Sequence, residues 1–444
     1  MEKNDKFYGK VEDINDDGDG VIKQNGEVIF VPNTWLDEEI GGIIINSKSK
    51  FCIGKALDIV VKSKDRIEPL CPYFSSCGGC SLQHVNYQTT LEFKQKKVQN
   101  AFKKFANLEV EVQPTIHAKE YRYRNKMALP VGQDGKIGVF RKNTHKVVSI
   151  DDCVIGKEWV KDLIFCVNSF ISSTALSVYN EESKLGIIRF VVAREVQNKI
   201  LITIVINGLN LPKSEKLIDL LKERFGENFG LNININTLPN NVILTDNYIH
   251  IYGLKSLQAN SHGILYPITN ASFMQVNDDI SEKIYDKVLE NITSDEVVIN
   301  AYSGAGLLTA LISKKAQYVY GIEIVKEAHA SANSLIKLNN ITNITNICGD
   351  CTKELPKLIK SKHLDDFSIV IDPPRKGVSE EVVSALINAR PKKIIYISCN
   401  PITLARDVKK IIENGDYEIK SVAPYDMFPM TPHVETLCVI QKKQ

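Results

Sequence analysis

From residue 273 to the end, short apolar, β-branched runs alternate with helical stretches, and this rhythm selects an α/β architecture built on a mainly parallel sheet. The runs are Glu296 to Ala301, Tyr318 to Ile322, a third ending near Asn346–Asp350, Phe367 to Ile371, and Lys393 to Ser398. In open sheets of this kind ligands bind outside the carboxyl ends of the strands. The residues standing at those ends are therefore the informative part. They are Tyr302-Ser303-Gly304-Ala305-Gly306, then Glu323, Asp350, Asp372-Pro373-Pro374-Arg375, and Cys399-Asn400-Pro401. The alternation thus puts Gly304, Glu323, Asp372 and Cys399 on one rim.

The rim has a definite chemistry. A glycine turn after the first strand, with an acid 17 residues after Gly306 at the end of the second, is how nucleotide-type folds hold a ribose by its two hydroxyls. Two glycines instead of three argue against NAD and suit S-adenosylmethionine, which has no pyrophosphate. Asp350 is a candidate for the adenine edge, and the two prolines after Asp372 aim Asp372 and Arg375 at the crevice. A methyl donor beside Asp372 and a thiol at Cys399 suit alkylation of a poor carbon nucleophile such as uracil C5. Thiolate addition at C6 makes C5 nucleophilic, and a base must then remove the C5 proton before the thiol leaves. Glu435, in Pro432-His433-Val434-Glu435-Thr436-Leu437, is the candidate base. Arg375 or Arg406 is the cation expected to raise the thiolate fraction of Cys399. Amino-group methylation on Asp372-Pro373-Pro374 is the competing enzyme reading; it leaves Cys399 unused.

At 444 residues and 43% hydrophobic content the chain exceeds one core, and three domains are expected: 1–62, 63–272 and 273–444. The start lacks an apolar signal region and no apolar run approaches a membrane span, so a cytoplasmic location is expected, with no membrane, DNA or protein partner implied. Residues 1–62 show short strands, with Asn25-Gly26 as a hairpin turn and Asp16-Asp17-Gly18-Asp19-Gly20 as a turn without calcium, hence a small all-β, OB-like barrel. Next come Cys71, Cys77 and Cys80, a C-x5-C-x2-C cluster with Cys153 as the candidate fourth ligand. Four thiolates suit zinc or a [4Fe-4S] cluster, and spacing leaves both open. The pair Cys348 and Cys351 has no second thiol pair and is not taken as a metal site.

Charge is uneven along the chain. Residues 1–62 hold 8 Lys and 12 acids, whereas residues 94–146 hold 13 Lys or Arg against 4 acids, interleaved with Phe102, Phe105, Tyr121, Tyr123 and Phe140. Such a mixture suits phosphate contacts with base stacking, so RNA is the expected partner. A helix is predicted over Tyr87–Phe105, with a possible seat on the catalytic domain. A strand is predicted over Tyr121–Lys126, with rings on one face and guanidinium groups on the other. Leu257–Gln275, including Phe273, is predicted as a loop with His262 on the surface. The domain over 63–272 is taken as α+β.

Two resemblances bear on these residues. Gly18-Asp19-Gly20-Val21 followed by Gly26-Glu27-Val28-Ile29-Phe30-Val31-Pro32 resembles the start of a TRAM domain, an RNA-binding module. The four cysteines, Asn300 to Gly306, Asp372 to Arg375, Ser398 to Pro401 and His433 to Thr436 together resemble the RNA 5-methyluridine methyltransferase family, in its RumA-like branch, over nearly the whole chain. The resemblance implies a Rossmann-like methyltransferase domain with Cys399 as nucleophile and Glu435 as base. It further implies Gln275, Tyr302, Glu323 and Asp372 around S-adenosylmethionine, and a [4Fe-4S] cluster on Cys71, Cys77, Cys80 and Cys153. By the same likeness 23S ribosomal RNA is the substrate, with tRNA as the alternative, since the tRNA-specific branch lacks both the TRAM domain and the cluster. A reading from another class is a non-catalytic iron-sulfur protein that binds RNA or senses redox state.

Overall fold

The computed structural model describes residues 1–270, 272 and 274–443. Six strands open the chain: β1 (Lys6–Lys10), β2 (Asp13–Ile14), β3 (Gly20–Gln24), β4 (Glu27–Val31), β5 (Glu39–Ser47) and β6 (Cys52–Val61). The β3–β4 hairpin turns on Asn25 and Gly26, both with positive φ (51° and 79°), the backbone a two-residue hairpin needs. The hydrogen-bonded order is β1-β5-β6-β4-β3-β2. This corrects the expected barrel: among the described residues β1 and β2 are unpaired edges. The sheet nevertheless curls on itself, because Gly9 of β1 lies directly over Ile22 of β3, and Phe7, Ile22, Ile29 and Ile40 share one small core.

Asn86 caps α1 (Tyr87–Ala101), accepting from the Gln88 amide, and the helix ends in a π-turn over Phe102–Ala106. The wider turn changes the angular spacing of its side chains, so Phe102 is buried while Phe105 is 49% exposed. Val98, Ala101, Phe102 and Ala106 join the core of the carboxyl-terminal sheet, so the helix packs against that sheet.

The middle of the chain runs β7 (Lys126–Pro130), β8 (Gly138–Phe140), β9 (Val147–Ser149), α2 (Trp159–Thr174), β10 (Ile188–Val196), β11 (Lys199–Ile206), α3 (Ser214–Phe225), β12 (Phe229–Ile235) and β13 (Tyr248–Gly253). Its sheet, β13-β12-β11-β10-β7, packs its apolar face on α2 and α3. The predicted strand over Tyr121–Lys126 is corrected. Arg122 has φ 54°, which breaks an extended run, and regular pairing starts only at Lys126. The predicted loop over Leu257–Gln275 is corrected in part to a hairpin of β14 (Leu257–Ser261) and β15 (Ile264–Ile268), turning on His262 and Gly263; Phe273 lies outside the described residues.

The remaining elements are α4 (Asp278–Glu290), β16 (Val297–Ala301), α5 (Leu307–Ser313), β17 (Tyr318–Glu323), α6 (Lys326–Leu338), β18 (Ile344–Cys348), α7 (Cys351–Lys362), β19 (Phe367–Ile371), α8 (Glu380–Ala389), β20 (Lys393–Ser398), α9 (Pro401–Asn414), β21 (Tyr417–Tyr425) and β22 (Glu435–Lys442). They form a seven-stranded sheet ordered β18-β17-β16-β19-β20-β22-β21, parallel except at β22 and β21. Val298, Ile299, Ile369, Val370, Ile394 and Ile395 are all buried, which is why β16, β19 and β20 read as near-continuous apolar runs: helices cover both faces. The strand order reverses between β16 and β19, the place where such sheets open a crevice.

Candidate active site

A cleft of about 260 Å³ opens at this switch point. Gln275, Tyr302, Gly304, Gly306, Asp372 and Glu435 line it, so six of the candidates taken from the sequence meet around one space. The turn after β16 is built to leave that space. Gly306 has φ 86°, and a Cβ there would sit 2.6 Å from Ala332 Cβ on α6, so glycine is required both by conformation and by close approach of the helix. Glu323, 9% exposed, accepts from the Gly304 amide at 2.8 Å and the Val325 amide at 2.7 Å, which ties its carboxylate to the glycine turn and leaves lone pairs for two hydroxyls. Asp350 is not among the lining residues. Its carboxylate caps α7, accepting from the Thr352 amide at 2.9 Å, and that bond holds it below the usual carboxylate range. Asp278 and Tyr285 line the cleft and carried no distinguishing pattern; Asp278 accepts from Asn125 at 2.6 Å and from Lys157 at 2.8 Å, partners more than a hundred residues away in sequence.

Cys399 and Glu435 are brought together by strand register. The antiparallel ladder of β20 and β22 pairs Ser398 with Thr436, so the next step along it sets Cys399 opposite Glu435. Glu435 is 7% exposed, and burial, reinforced by the Asp372 charge and eased by Arg375, pushes its carboxyl up to about 8. Asp372 is exposed on its cleft side, and the protein packed around its inner side drives its carboxyl upward, to about 7. At Cys399 burial and the Glu435 charge push the thiol up, and a hydrogen bond from Arg375 pulls it down without prevailing. The cation expected beside the thiol is therefore Arg375. Arg406 is engaged elsewhere: it donates to Asp407 at 2.8 Å, and Asp407 also accepts from Tyr396 at 2.8 Å and the Val378 amide at 3.0 Å, pinning the loop after Asp372. A half-buried thiol facing a protonatable acid across one ladder step can add to an electron-poor ring and return a proton.

Cys71, Cys77 and Cys80 lie close enough to Cys153, from a second segment, that each of the three feels its charge. Burial raises all four, Cys80 to about 12, and the Gly79 amide donates to Cys77 Sγ at 3.2 Å. Among the described residues no group of three or more His, Cys, Asp or Glu stands in a metal-holding arrangement. The four thiols are half-buried, and by chemistry alone they are a donor set whose protons a bound cation would displace. Cys348 is exposed and Cys351 buried. The basic span divides. Lys94 is fully buried against Asp426, Lys97 donates to the Pro432 and Asp16 carbonyls, and Arg122 holds Asp152, whereas Lys96, Lys104, Lys136 and Arg141 are exposed. No helix among the described residues is long and apolar enough to cross a membrane.

Residues 86–443 match the family model described as tRNA (Uracil-5-)-methyltransferase. The chain is 35% identical to an uncharacterized RNA methyltransferase of Halalkalibacterium halodurans and 36% identical to one of Clostridium acetobutylicum, each alignment covering 100% of this chain and 98% of the relative. The crystal structure of Pyrococcus abyssi tRNA (uracil-54, C5)-methyltransferase in complex with S-adenosyl-L-homocysteine superimposes with a TM-score of 0.79 at 28% identity, covering 98% of this chain and 100% of that one.

Proposed function

This chain belongs to the tRNA (uracil-5-)-methyltransferase family of RNA-modifying enzymes, and we propose that it moves a methyl group from S-adenosylmethionine to C5 of a uridine in RNA through a covalent adduct on Cys399. The observation that carries the reading is the ladder step that sets Cys399 opposite Glu435, with Glu435 also on the wall of the cleft. S-adenosylmethionine bound in that cleft supplies an electrophilic methyl, and the S-adenosylhomocysteine in the Pyrococcus structure supports its place there. Gln275, Tyr302, Gly304, Gly306 and Asp372 would line the donor and Glu323 would take its ribose; Asp350, occupied as a cap, is left with a minor part. Cys399, as thiolate steadied by Arg375, adds to uridine C6; C5 takes the methyl; Glu435 accepts the C5 proton; the C6–S bond breaks and the thiolate returns. A carboxyl held near 8 is a stronger base once ionised than an ordinary one.

Cys71, Cys77, Cys80 and Cys153 would hold a [4Fe-4S] cluster, or zinc as the other metal four thiolates accept, and no step of methyl transfer runs through it. Residues 1–62 are proposed as a TRAM domain, 63–272 as a central cluster and RNA-binding domain, and 273–444 as the catalytic domain, acting in the cytoplasm. The first target reading is 23S ribosomal RNA. A second, tRNA, is favoured by the Pyrococcus likeness: a tRNA enzyme matches the chain from end to end, so extra amino-terminal sequence does not separate the two substrates. The test is incubation with S-adenosylmethionine and 5-fluorouridine transcripts of each RNA, read as a denaturant-stable protein–RNA band. Fluorine at C5 cannot leave as a cation, so the reaction stops at the adduct. A band that needs Cys399 supports the reading and identifies the RNA. Methyl transfer to ordinary RNA with no band from fluorinated RNA would replace it with amino-group methylation.

A further inference from the structure

Nine residues, Asp426 to Val434, join β21 to β22 and run directly into Glu435. Their polar groups are held from outside the catalytic sheet. Lys94 forms a fully buried ion pair with Asp426 and donates to the Phe428 carbonyl at 3.1 Å. Tyr87 donates to the other Asp426 oxygen at 2.7 Å, Lys97 to the Pro432 carbonyl at 3.1 Å, and Tyr123 to the Pro429 carbonyl at 3.2 Å. The amides of Ser81 and Leu82, next to Cys80, both donate to the Met430 carbonyl, at 3.0 and 3.1 Å. Asn277 donates to the Met427 carbonyl at 3.3 Å. Five successive or near-successive carbonyls of a segment with no regular structure are thus satisfied by side chains and amides from residues 81–123 and 277. Met430 is held at φ 64°, a conformation such ties must sustain.

We propose that residues 426–434 are a strap through which Lys94, Asp426 and Tyr87 act as positioning residues for Glu435, with the loop carrying Cys80 as a second tie on the same strap. The inference rests on the reading of Glu435 as the base. Glu435 is the first residue of β22, so its Cα is set on one side by the ladder and on the other by the strap. Loosening the strap leaves Cys399, at the end of β20, in place and moves only the group that must meet the C5 proton. The step affected is proton removal and thiol release, after the C6–S and C5–methyl bonds have formed.

The test compares wild type with Tyr87→Phe and with the paired Lys94→Met, Asp426→Asn variant, which avoids stranding one buried charge. In both we expect an unfolding profile with as many transitions as wild type, an S-adenosylmethionine Kd within about twofold of wild type, and adduct formation on 5-fluorouridine RNA at the wild-type rate. Turnover on ordinary RNA should fall, by about tenfold or more in the paired variant and about threefold in Tyr87→Phe, while the covalent adduct with ordinary RNA accumulates, as in Glu435→Gln. Loss of adduct formation and turnover together in Tyr87→Phe would overturn the proposal, as would wild-type turnover in both variants. If the paired variant does not fold, Tyr87→Phe decides alone. A wild type that forms no adduct and a Glu435→Gln variant that traps none would instead refute the function itself, so the two failures are separable.

Discussion

The central sheet and the carboxyl-terminal sheet both bury apolar strands, yet they treat the polar groups at their margins in opposite ways. In the central sheet buried polar side chains close gaps in the backbone. Arg189 donates to the Asn236 carbonyl at 2.7 Å and the Leu238 carbonyl at 3.0 Å, and Asn236 donates to the Val242 and Ile243 carbonyls. In the carboxyl-terminal sheet the acids at the rim face a cleft and each other, and burial pushes the Glu435 carboxyl up to about 8. Side chains tied to backbone carbonyls build architecture; acids facing one another beside a cleft are where chemistry is to be sought.

The contrast is sharpest at Cys399. Cys399→Ala should lower turnover by about a thousandfold or more, with the unfolding transition unchanged, measured by tritiated methyl incorporation beside thermal denaturation; retention of more than about a tenth of the activity would end the nucleophile assignment. Arg189→Met should do the reverse, removing about 2–4 kcal/mol of stability by leaving buried carbonyls unpaired while kcat of the folded fraction holds; a fall in kcat without loss of stability would break the comparison. Glu435→Gln tests the rim through pH. A carboxyl raised from 4.5 to about 8 makes the folded state prefer the protonated acid, so its contribution is full below pH 4.5 and lost as pH rises through 8. Urea denaturation should therefore find the variant gaining on wild type as pH rises from about 5 to about 9, and an equal gap at both ends would remove the raised carboxyl. Arg375→Ala removes the hydrogen bond that pulls the Cys399 thiol down, so the pH–rate profile should move to the alkaline side and the rate at neutral pH should drop severalfold; an unmoved profile would give the thiol another partner. The smallest effect is on the basic span. Lys104→Ala should lessen the salt dependence of RNA binding by about one unit of slope, whereas Lys97→Ala, whose ammonium serves the Pro432 and Asp16 carbonyls, should leave the slope alone.

Much of the rim was legible because its rule is local. An apolar run of five or six residues must be a buried strand, and the residue that ends it must stand at the strand end, so Gly304, Glu323, Asp372 and Cys399 could be placed from order alone. The hairpin at Asn25-Gly26 was legible for the same reason. Where the deciding term was distant, local reading failed. Tyr121–Lys126 alternates like a strand, but Arg122 bends toward Asp152 and the Cys153 and Gly156 carbonyls, 30 or more residues on. Phe105 keeps the helical period, but a π-turn removes it from the packed face. Lys94 belongs to a basic span by composition and to a buried ion pair in the fold.

The sequence alone determined which groups end the strands and the glycine turn of Gly304 and Gly306 beside the cleft, since these depend on hydrophobic period and backbone conformation over a few residues. Only the tertiary structure decided that Cys399 faces Glu435, that Arg375 and not Arg406 serves the thiol, that Asp350 is a helix cap, and that the strap before Glu435 is held by α1 and the Cys80 loop. Strand register and the burial of a charge depend on which surfaces meet across the whole chain, and no local pattern carries that information.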